Sequence, residues 1–449
     1  MAEPATDVVL TGWGRTAPTA ASLRRADASG VARLLRDAGP RGLIARGLGR
    51  SYGDPAQNAG GDVLAPLPGW IDEPGPDGSV RVSAGTSLHD LMRHLLPRGR
   101  FVPVTPGTRY VSVGGAIAAD VHGKGHHVTG SFGEQVVSLD LVLPDGTTRT
   151  VGPDTDPELY WATVGGMGLT GVIVAAVLRT IPVESGYLTV TTQRLPDLDA
   201  VLREMAEGDA RFGYSVAWID TEARGRSLGR SVLSRGDHAR RDQLSGRAAR
   251  DPLALPRAPR LTVPLTPPTS LVTAATVRAF NELWFRKAPR WRSDELQDVS
   301  AFFHPLDGVA GWNRLYGPRG FVQYQFAVPE AHADVVRRIL ERLAADRHPT
   351  FLAVLKRFGP GSPGWLSFPR AGWTLAVDTP ARPDLADLLA GLDEQVVAAG
   401  GRVYLAKDAR LRPEIVDAMY PRASDFRELR ARLDPQRRLQ SDLARRLHL

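Results

Sequence analysis

Apolar residues recur along this chain at two different periods, and the switch between them outlines its elements. Over Phe321–Val328 the period is two, with Gln323 and Gln325 on one face and Val322, Tyr324 and Phe326 on the other, which predicts a strand. Over Ala331–Asp346 the period lengthens to that of a helix, with Val335, Val336, Ile339, Leu340 and Leu343 on one stripe. Strands are predicted at Phe351–Arg357 and Gly372–Asp378, then a helix at Leu385–Ala399 stopped by Gly400 and Gly401, and a last strand at Arg402–Ala406. This β-α-β-β-α-β order is the split pattern of a ferredoxin-like antiparallel sheet covered on one face by helices. The first 185 or so residues are glycine-rich instead, with short strands expected at Gly42–Ala45, Val80–Ala84 and Leu139–Leu143 and one helical stripe at Leu88–Leu96. Between the two textures, residues 221–270 show no sustained period. Their ten arginines from Arg224 to Arg260, with Pro264, Pro267 and Pro268, predict a mobile loop or lid.

Composition narrows the chemistry. The 449 residues contain no cysteine, which removes disulfides, thiolate nucleophiles, iron–sulfur clusters and cysteine–zinc sites together. At 43% hydrophobic and 23% charged, the chain reads as globular and long enough for two or three domains. No apolar run of about 18 residues predicts a bilayer span. Glu3 and Asp7 near the start predict no leader peptide, so the expected location is cytoplasmic, or peripheral to a membrane or the cell envelope. The net charge of +7 is scattered among acids with no basic helix, so nucleic acid is not an expected partner. Four of the 56 basic residues are lysine (Lys124, Lys287, Lys356 and Lys407), leaving 56 − 4 = 52 arginines. Where arginine is used so freely, each lysine marks a place where an ammonium with a tunable pKa can do what a guanidinium cannot.

Three glycine-dense segments carry the candidate chemistry. Ala45–Asp54 follows a short apolar strand, and its spacing, Gly47-x-Gly49-x-x-x-Gly53, is one residue too long for the Rossmann fingerprint. It fits an anion-binding loop of another fold, with Arg46, Arg50 and Ser51 as added donors. Pro103–Ser131 combines Gly114 and Gly115 with Ala116, Ala118 and Ala119, small enough for backbone to approach a flat ligand. His122, Lys124, His126 and His127 follow within six residues, but the interspersed Gly123 and Gly125 argue against a helical metal site, and no metal is expected. Trp161–Val174 is the third. In the strands, Gln323 and Gln325 share a face, as do Lys356 and Phe358; amides and an ammonium among apolar positions are costly to bury unless they bind something polar.

These segments resemble the vanillyl-alcohol-oxidase, or p-cresol-methylhydroxylase (PCMH), type of FAD-binding oxidoreductase. The resemblance runs over nearly the whole length through His304–Asp307, Trp312–Arg314, Gln323–Phe326, Phe358–Pro360, Ala406–Asp408, Ala418–Arg422 and Ser441–Arg446. It implies an α+β fold, with a two-lobed PCMH-type FAD-binding domain from residues 1–185 and 402–449. Residues 186–401, carrying the 221–270 loop, would form the ferredoxin-like substrate domain. Arg46, Gly47, Gly49, Arg50, Ser51 and Tyr52 would hold the FAD pyrophosphate. Gly107, Thr108, Ser112, Gly114, Gly115, Ala118, Val121, His122 and Gly123 would line the flavin and ribityl chain. Gly168 and Ile173 would flank the adenosine, and Tyr404 and Ala406 would return from the C-terminal strand. Several relatives carry FAD covalently on a histidine at the position of Arg50, so the FAD implied here is non-covalent. Substrate contacts would come from Lys124, Trp218, Phe303, Gln323, Gln325, Lys356, Phe358, Thr374 and Ala376.

The implied reaction moves hydride from a sugar carbinol carbon to flavin N5, with Lys407 or else His122 taking the hydroxyl proton and Gln325 beside them. Within the family the pattern is that of oxidases acting on the 2′-hydroxyl of a polyprenylphosphoryl-β-D-ribose. Such a lipid-linked sugar phosphate implies peripheral membrane contact, for which the arginine-rich loop is the candidate, and a separate NAD(P)H ketoreductase to complete epimerisation. A soluble sugar, alditol or aldonolactone is the alternative substrate, and a non-catalytic FAD-binding subunit the alternative role. Lys287 is expected to be structural or loop-borne. Three positions depart from the family pattern: Ala376 stands for a cysteine, Phe303 for a tyrosine and Met167 for an asparagine.

Overall fold

The computed structural model describes residues 5–255 and 261–449. Strands β1 (Thr6–Leu10), β2 (Thr19–Arg24), β3 (Leu43–Ala45) and β4 (Asp62–Leu64) form a mixed sheet in the order β1-β2-β4-β3, with β2 and β3 parallel to β4. After β5 (Val80–Ser83) and β6 (Arg100–Phe101) come β7 (Val136–Val142), β8 (Thr148–Val151), β9 (Val172–Leu178) and β10 (Ile181–Pro182). An antiparallel sheet β5-β9-β7-β8 results, with β6 and β10 paired beside it. Strand β9, Val-Ile-Val-Ala-Ala-Val-Leu, is apolar on both faces because Ile173, Ala176 and Leu178 pack in one core and Val172 and Val174 in another.

The remaining strands are β11 (Tyr187–Leu195), β12 (Tyr214–Ile219), β13 (Ser231–His238), β14 (Leu261–Thr262), β15 (Trp291–Asp298), β16 (Val309–Ala310), β17 (Phe321–Val328), β18 (Ala353–Phe358), β19 (Gly372–Pro380) and β20 (Arg402–Val403). Eight of them form one antiparallel sheet in the order β15-β11-β13-β12-β18-β19-β17-β20. The split unit expected from residue 321 onward is present as β18-β19-β17-β20. The same spatial order appears, mirrored, in β15-β11-β13-β12, so two such units join back to back where β12 pairs with β18.

The helices Leu198–Gly208, Ala333–Ala345 and Leu385–Ala398 cover one face. Val201, Met205, Val336, Ile339, Leu340, Leu389 and Leu392 pack there on Ala217, Leu355, Leu375 and Phe326 in one core. The other face, carrying Trp218, Lys356, Ala376, Gln323 and Gln325, floors a cavity. Helix Ala274–Lys287 departs from the pattern and lies on the cavity side. There Val277 packs with Tyr52, Trp312 and Phe321, and Phe280 meets Phe351 at 4.9 Å. Among the described residues no helix is long and apolar enough to cross a membrane.

The segment 221–270, expected to be a loop, is largely built into this fold. Residues 231–238 are β13, an interior strand bonded to both β11 and β12. Its sequence, Ser-Val-Leu-Ser-Arg-Gly-Asp-His, hides the alternation because Arg235 is buried, donating to the Glu204 carbonyl at 3.2 Å beneath helix Leu198–Gly208. Residues 261–273 are strapped down where Arg314 donates to the carbonyls of Val263 and Pro264 (2.7 and 2.8 Å). Residues 256–260 of the expected loop lie outside the described residues.

Candidate active site

A cavity of about 850 Å³ runs between the glycine-rich segments and the bare face of the large sheet, a size that takes a large organic ligand. Every residue expected to hold FAD lines it. Arg46, Gly47, Gly49, Arg50, Ser51 and Tyr52 form one rim directly after β3, and Gly107, Thr108, Ser112, Gly114, Gly115, Ala118, Val121, His122 and Gly123 form the long wall. Gly168 and Ile173 stand at one end, and Tyr404 and Ala406 bring in the C-terminal return. That return is welded to the first loop: Tyr52 N–H donates to the Ala406 carbonyl at 3.0 Å. Tyr404 Oη donates to the Ala119 carbonyl at 2.8 Å.

Two features of the rim suit a flat, anionic cofactor. A Cβ on Gly47 would stand 2.2 Å from Ser112 Oγ, so the two glycine segments approach as only bare backbone can. Arg50 lies 3.9 Å above the Trp13 ring, and its buried Nε has no partner among the described residues. Arg46, of the expected pyrophosphate set, also has a structural task. Its guanidinium donates to the Thr11 and Ala56 carbonyls (2.7 and 3.0 Å), so it clasps the loop. Met167 adopts φ +54°, a left-handed backbone that asparagine, the residue of the family pattern, tolerates and methionine enters at a cost.

On the sheet side, Lys124, Trp218, Phe303, Gln323, Gln325, Lys356, Ala376 and Lys407 line the cavity. Phe358 and Thr374, expected as substrate contacts, are not among the residues lining the cavity. Phe358 sits one layer back against His122 and His126 (4.9 and 4.4 Å), and Thr374 Oγ1 accepts from Gln325 Nε2 at 3.3 Å. Strand parity aimed both correctly, but the His122–His126 segment packs over that end of the sheet.

Three of the cavity lysines, Lys124, Lys356 and Lys407, share a cationic surface that burial makes unstable. Lys407 Nζ lies 3.7 Å above the Tyr52 ring. Burial pulls its pKa down to about 7, with Asp378 opposing and Lys356 adding to the fall. Burial likewise lowers Lys124 to about 7, with help from Lys356, and Lys356 to about 8. Lys124 donates to the Phe302 carbonyl.

Asp378, which sequence reasoning overlooked, is fully buried beneath them and accepts from Gln323 Nε2, which also reaches Tyr52 Oη at 3.3 Å. Burial raises its carboxyl to about 7 while Lys407 holds it down, so carboxyl and ammonium titrate as a pair near neutrality. The signal was available: Asp378 shares the parity of Thr374 and Ala376 and stands opposite Gln323 in register. His122 is different. Gln325 Nε2 donates to its Nε2 at 2.8 Å, so the ring is neutral with its proton on Nδ1, and burial beside Lys356, His126 and Lys407 holds its pKa well below the usual range.

Two more residues outside the expected set shape the site. Asp307 accepts from Thr108 Oγ1 (2.7 Å) and Arg109 N–H (2.9 Å), fixing the wall loop. Lys287, expected to be structural or loop-borne, instead ends helix Ala274–Lys287 at the cavity mouth beside Trp284, with Phe280 and Phe351 also lining that end.

Comparison with known proteins gives the same picture. A family model described as an FAD binding domain matches residues 20–152. The decaprenylphosphoryl-beta-D-ribose oxidase of Mycolicibacterium smegmatis is 43% identical over 457 residues, covering 99% of this chain and 98% of that protein. The alditol oxidase of a Streptomyces species is 26% identical, covering 88% of each chain. The D-arabinono-1,4-lactone oxidase of Yarrowia lipolytica is 32% identical over 125 residues, covering 28% of this chain and 23% of that protein.

Proposed function

The chain belongs to the decaprenylphosphoryl-beta-D-ribose oxidase family, an FAD-dependent oxidoreductase acting on CH–OH groups, and on that premise we propose that it oxidises the 2′-hydroxyl of a polyprenylphosphoryl-β-D-ribose to a ketone. The two sheets of β1–β9, with the residues after 401, are assigned as the two lobes of the FAD domain, and the eight-stranded sheet as the substrate domain. FAD, when bound, accepts hydride from a carbinol carbon. The protein's own task is then to hold the sugar and take the hydroxyl proton. Lys407 is assigned that proton, because its ammonium is poised near neutrality at the cavity floor. Gln325 and Lys124 would bind the sugar phosphate, and the emerging ketone would leave for reduction by a separate NAD(P)H ketoreductase.

The observation that carries the lipid-linked reading is the cavity's polarity gradient. Lys356, Lys407, Gln323 and Gln325 lie on the sheet floor, whereas the exposed end adds the rings of Phe280, Trp284 and Phe351 beside Lys287 and Arg292, and a prenyl chain would lie along those rings. Anaerobic mixing with a short-prenyl phosphoribose is expected to bleach the flavin bands, with free alditols and aldonolactones inert. Bleaching by the latter alone would transfer the chain to the soluble-sugar class.

Two further results are expected. The FAD is taken as non-covalent because Arg50 offers no nucleophilic ring nitrogen. Acid precipitation should therefore release all pigment to the supernatant, and colour retained in the pellet would overturn this. The rate of flavin reduction should rise about tenfold per pH unit below pH 7 and level off above it, as Lys407 loses its proton. Asp378→Asn removes the charge that holds Lys407 up and should move this limb to lower pH. Lys356→Met removes a repelling cation and should move it to higher pH. Stopped-flow pH profiles unmoved by either substitution would exclude Lys407 as the titrating group.

A further inference from the structure

We propose that the face formed by residues 261–292 around the cavity mouth docks on an anionic lipid bilayer, so that the substrate's chain passes from leaflet to cavity without crossing water; this rests on the lipid-linked reading of the substrate. Among the described residues eleven large apolar side chains are exposed, and six of them (Leu261, Leu265, Leu271, Leu283, Trp284 and Trp291) fall within this one stretch. Leu265 is 77% exposed, Leu283 68% and Trp291 58%, on three different pieces of backbone: the strap, the helix Ala274–Lys287 and the edge strand β15. That helix buries Val277 and Asn281 yet turns Leu283 and Trp284 outward, where a helix bathed only by water would carry polar residues.

The same stretch carries Arg278, Arg286, Lys287, Arg290 and Arg292 against Glu282 alone, a local charge of 5 − 1 = +4 out of +7 for the chain. Tryptophan and leucine interleaved with exposed cations is the composition that seats in an anionic headgroup layer. A second copy of the chain would bring an equal positive charge against this one, and so fits worse than a negatively charged membrane. Trp284, Lys287 and Arg292 belong to the face and to the cavity rim at once, which places the entrance at the lipid surface. Of the arginines of residues 224–250, the expected candidates, Arg230 pairs with Asp220 and Glu282, Arg235 is buried, and Arg240 pairs with Asp242.

The test is co-sedimentation of the FAD-loaded protein with phosphatidylcholine vesicles with and without phosphatidylglycerol. Binding to the anionic vesicles is expected, weakening in salt. The triple variant Leu265→Glu, Leu283→Glu, Trp291→Glu should lower partitioning about tenfold or more. It should leave flavin reduction by a water-soluble short-prenyl phosphopentose unchanged, since none of the three lines the cavity. Wild-type protein remaining in the supernatant, or a triple variant that pellets like wild type, overturns the proposal. So does a dimer by light scattering that the triple variant dissociates, because a second copy then covers the face. Vesicle binding without bleaching by any prenyl phosphopentose would instead sink the substrate reading and leave the docking face standing.

Discussion

Lys407→Met should leave a protein that is yellow, folded and almost unable to reduce its flavin, with single-turnover reduction slowed by about a thousandfold, the usual worth of a positioned base. Methionine keeps the stem packed against Tyr52 but removes the nitrogen now 3.7 Å from that ring. His122 and Lys356 do not take over. His122 Nε2 is already engaged by Gln325, and the ring is held neutral by burial and by surrounding cations. Lys356 stays protonated to about pH 8 and so is mostly a cation at neutrality. Lys407→Arg should be equally inactive although it restores the charge, because a guanidinium stays protonated where burial brings the ammonium to about pH 7. FAD content measured after desalting separates loss of chemistry from loss of cofactor. Reduction of either variant within tenfold of wild type would remove Lys407 from the role of base.

That lysine was visible in the sequence because arginine had replaced its kind almost everywhere else, and the cofactor wall was visible because glycine clusters so densely in Ala45–Asp54 and Pro103–Ser131. The second split unit was equally legible, since β17 alternates Gln323 and Gln325 with Tyr324 and Phe326 and the helix Ala333–Ala345 buries one clean stripe. Its mirror partner was not. β13 disguises an interior strand with the buried Arg235, and β15, Trp-Arg-Ser-Asp-Glu-Leu-Gln-Asp, is an edge strand whose outward residues need no alternation. The apolar mouth was hidden for a different reason. Phe280 and Trp284 sit on a helix that crosses to the cavity side, a choice made by packing of Val277 on Tyr52 and Trp312 rather than by any local pattern. Asp378 needed the register of β19 against β17 to show which polar group it would meet.

The weld between the first glycine loop and the C-terminal return yields the second large effect: Gly53→Ala should destroy the cofactor site outright. A Cβ at this position would lie 1.7 Å from the Asp408 carbonyl oxygen and 2.6 Å from its carbon, well inside van der Waals contact. Neither partner can retreat. Tyr52 N–H is bonded to the Ala406 carbonyl at 3.0 Å. Asp408 is pinned by the amides of Arg410 and Leu411 (3.0 and 2.8 Å) and by Arg446 at 2.9 Å, which also pairs with Asp54 at 2.7 Å. Relief therefore means parting the two segments, which carries Lys407 off Tyr52 and opens the FAD rim. Overpacking in rigid surroundings costs about 1–3 kcal/mol or more. A lowered Tm together with at least about a hundredfold weaker FAD binding is expected, since about 2.7 kcal/mol corresponds to that factor. Gly391→Ala is the control. It lies inside helix Leu385–Ala398 with nothing within 4 Å of its Cβ, and should stabilise by about 0.5–1 kcal/mol through helix propensity alone. A Gly53→Ala protein with full FAD content and an unchanged Tm would mean that the loop and the return are not joined at this point, and that Lys407 owes its position to something else.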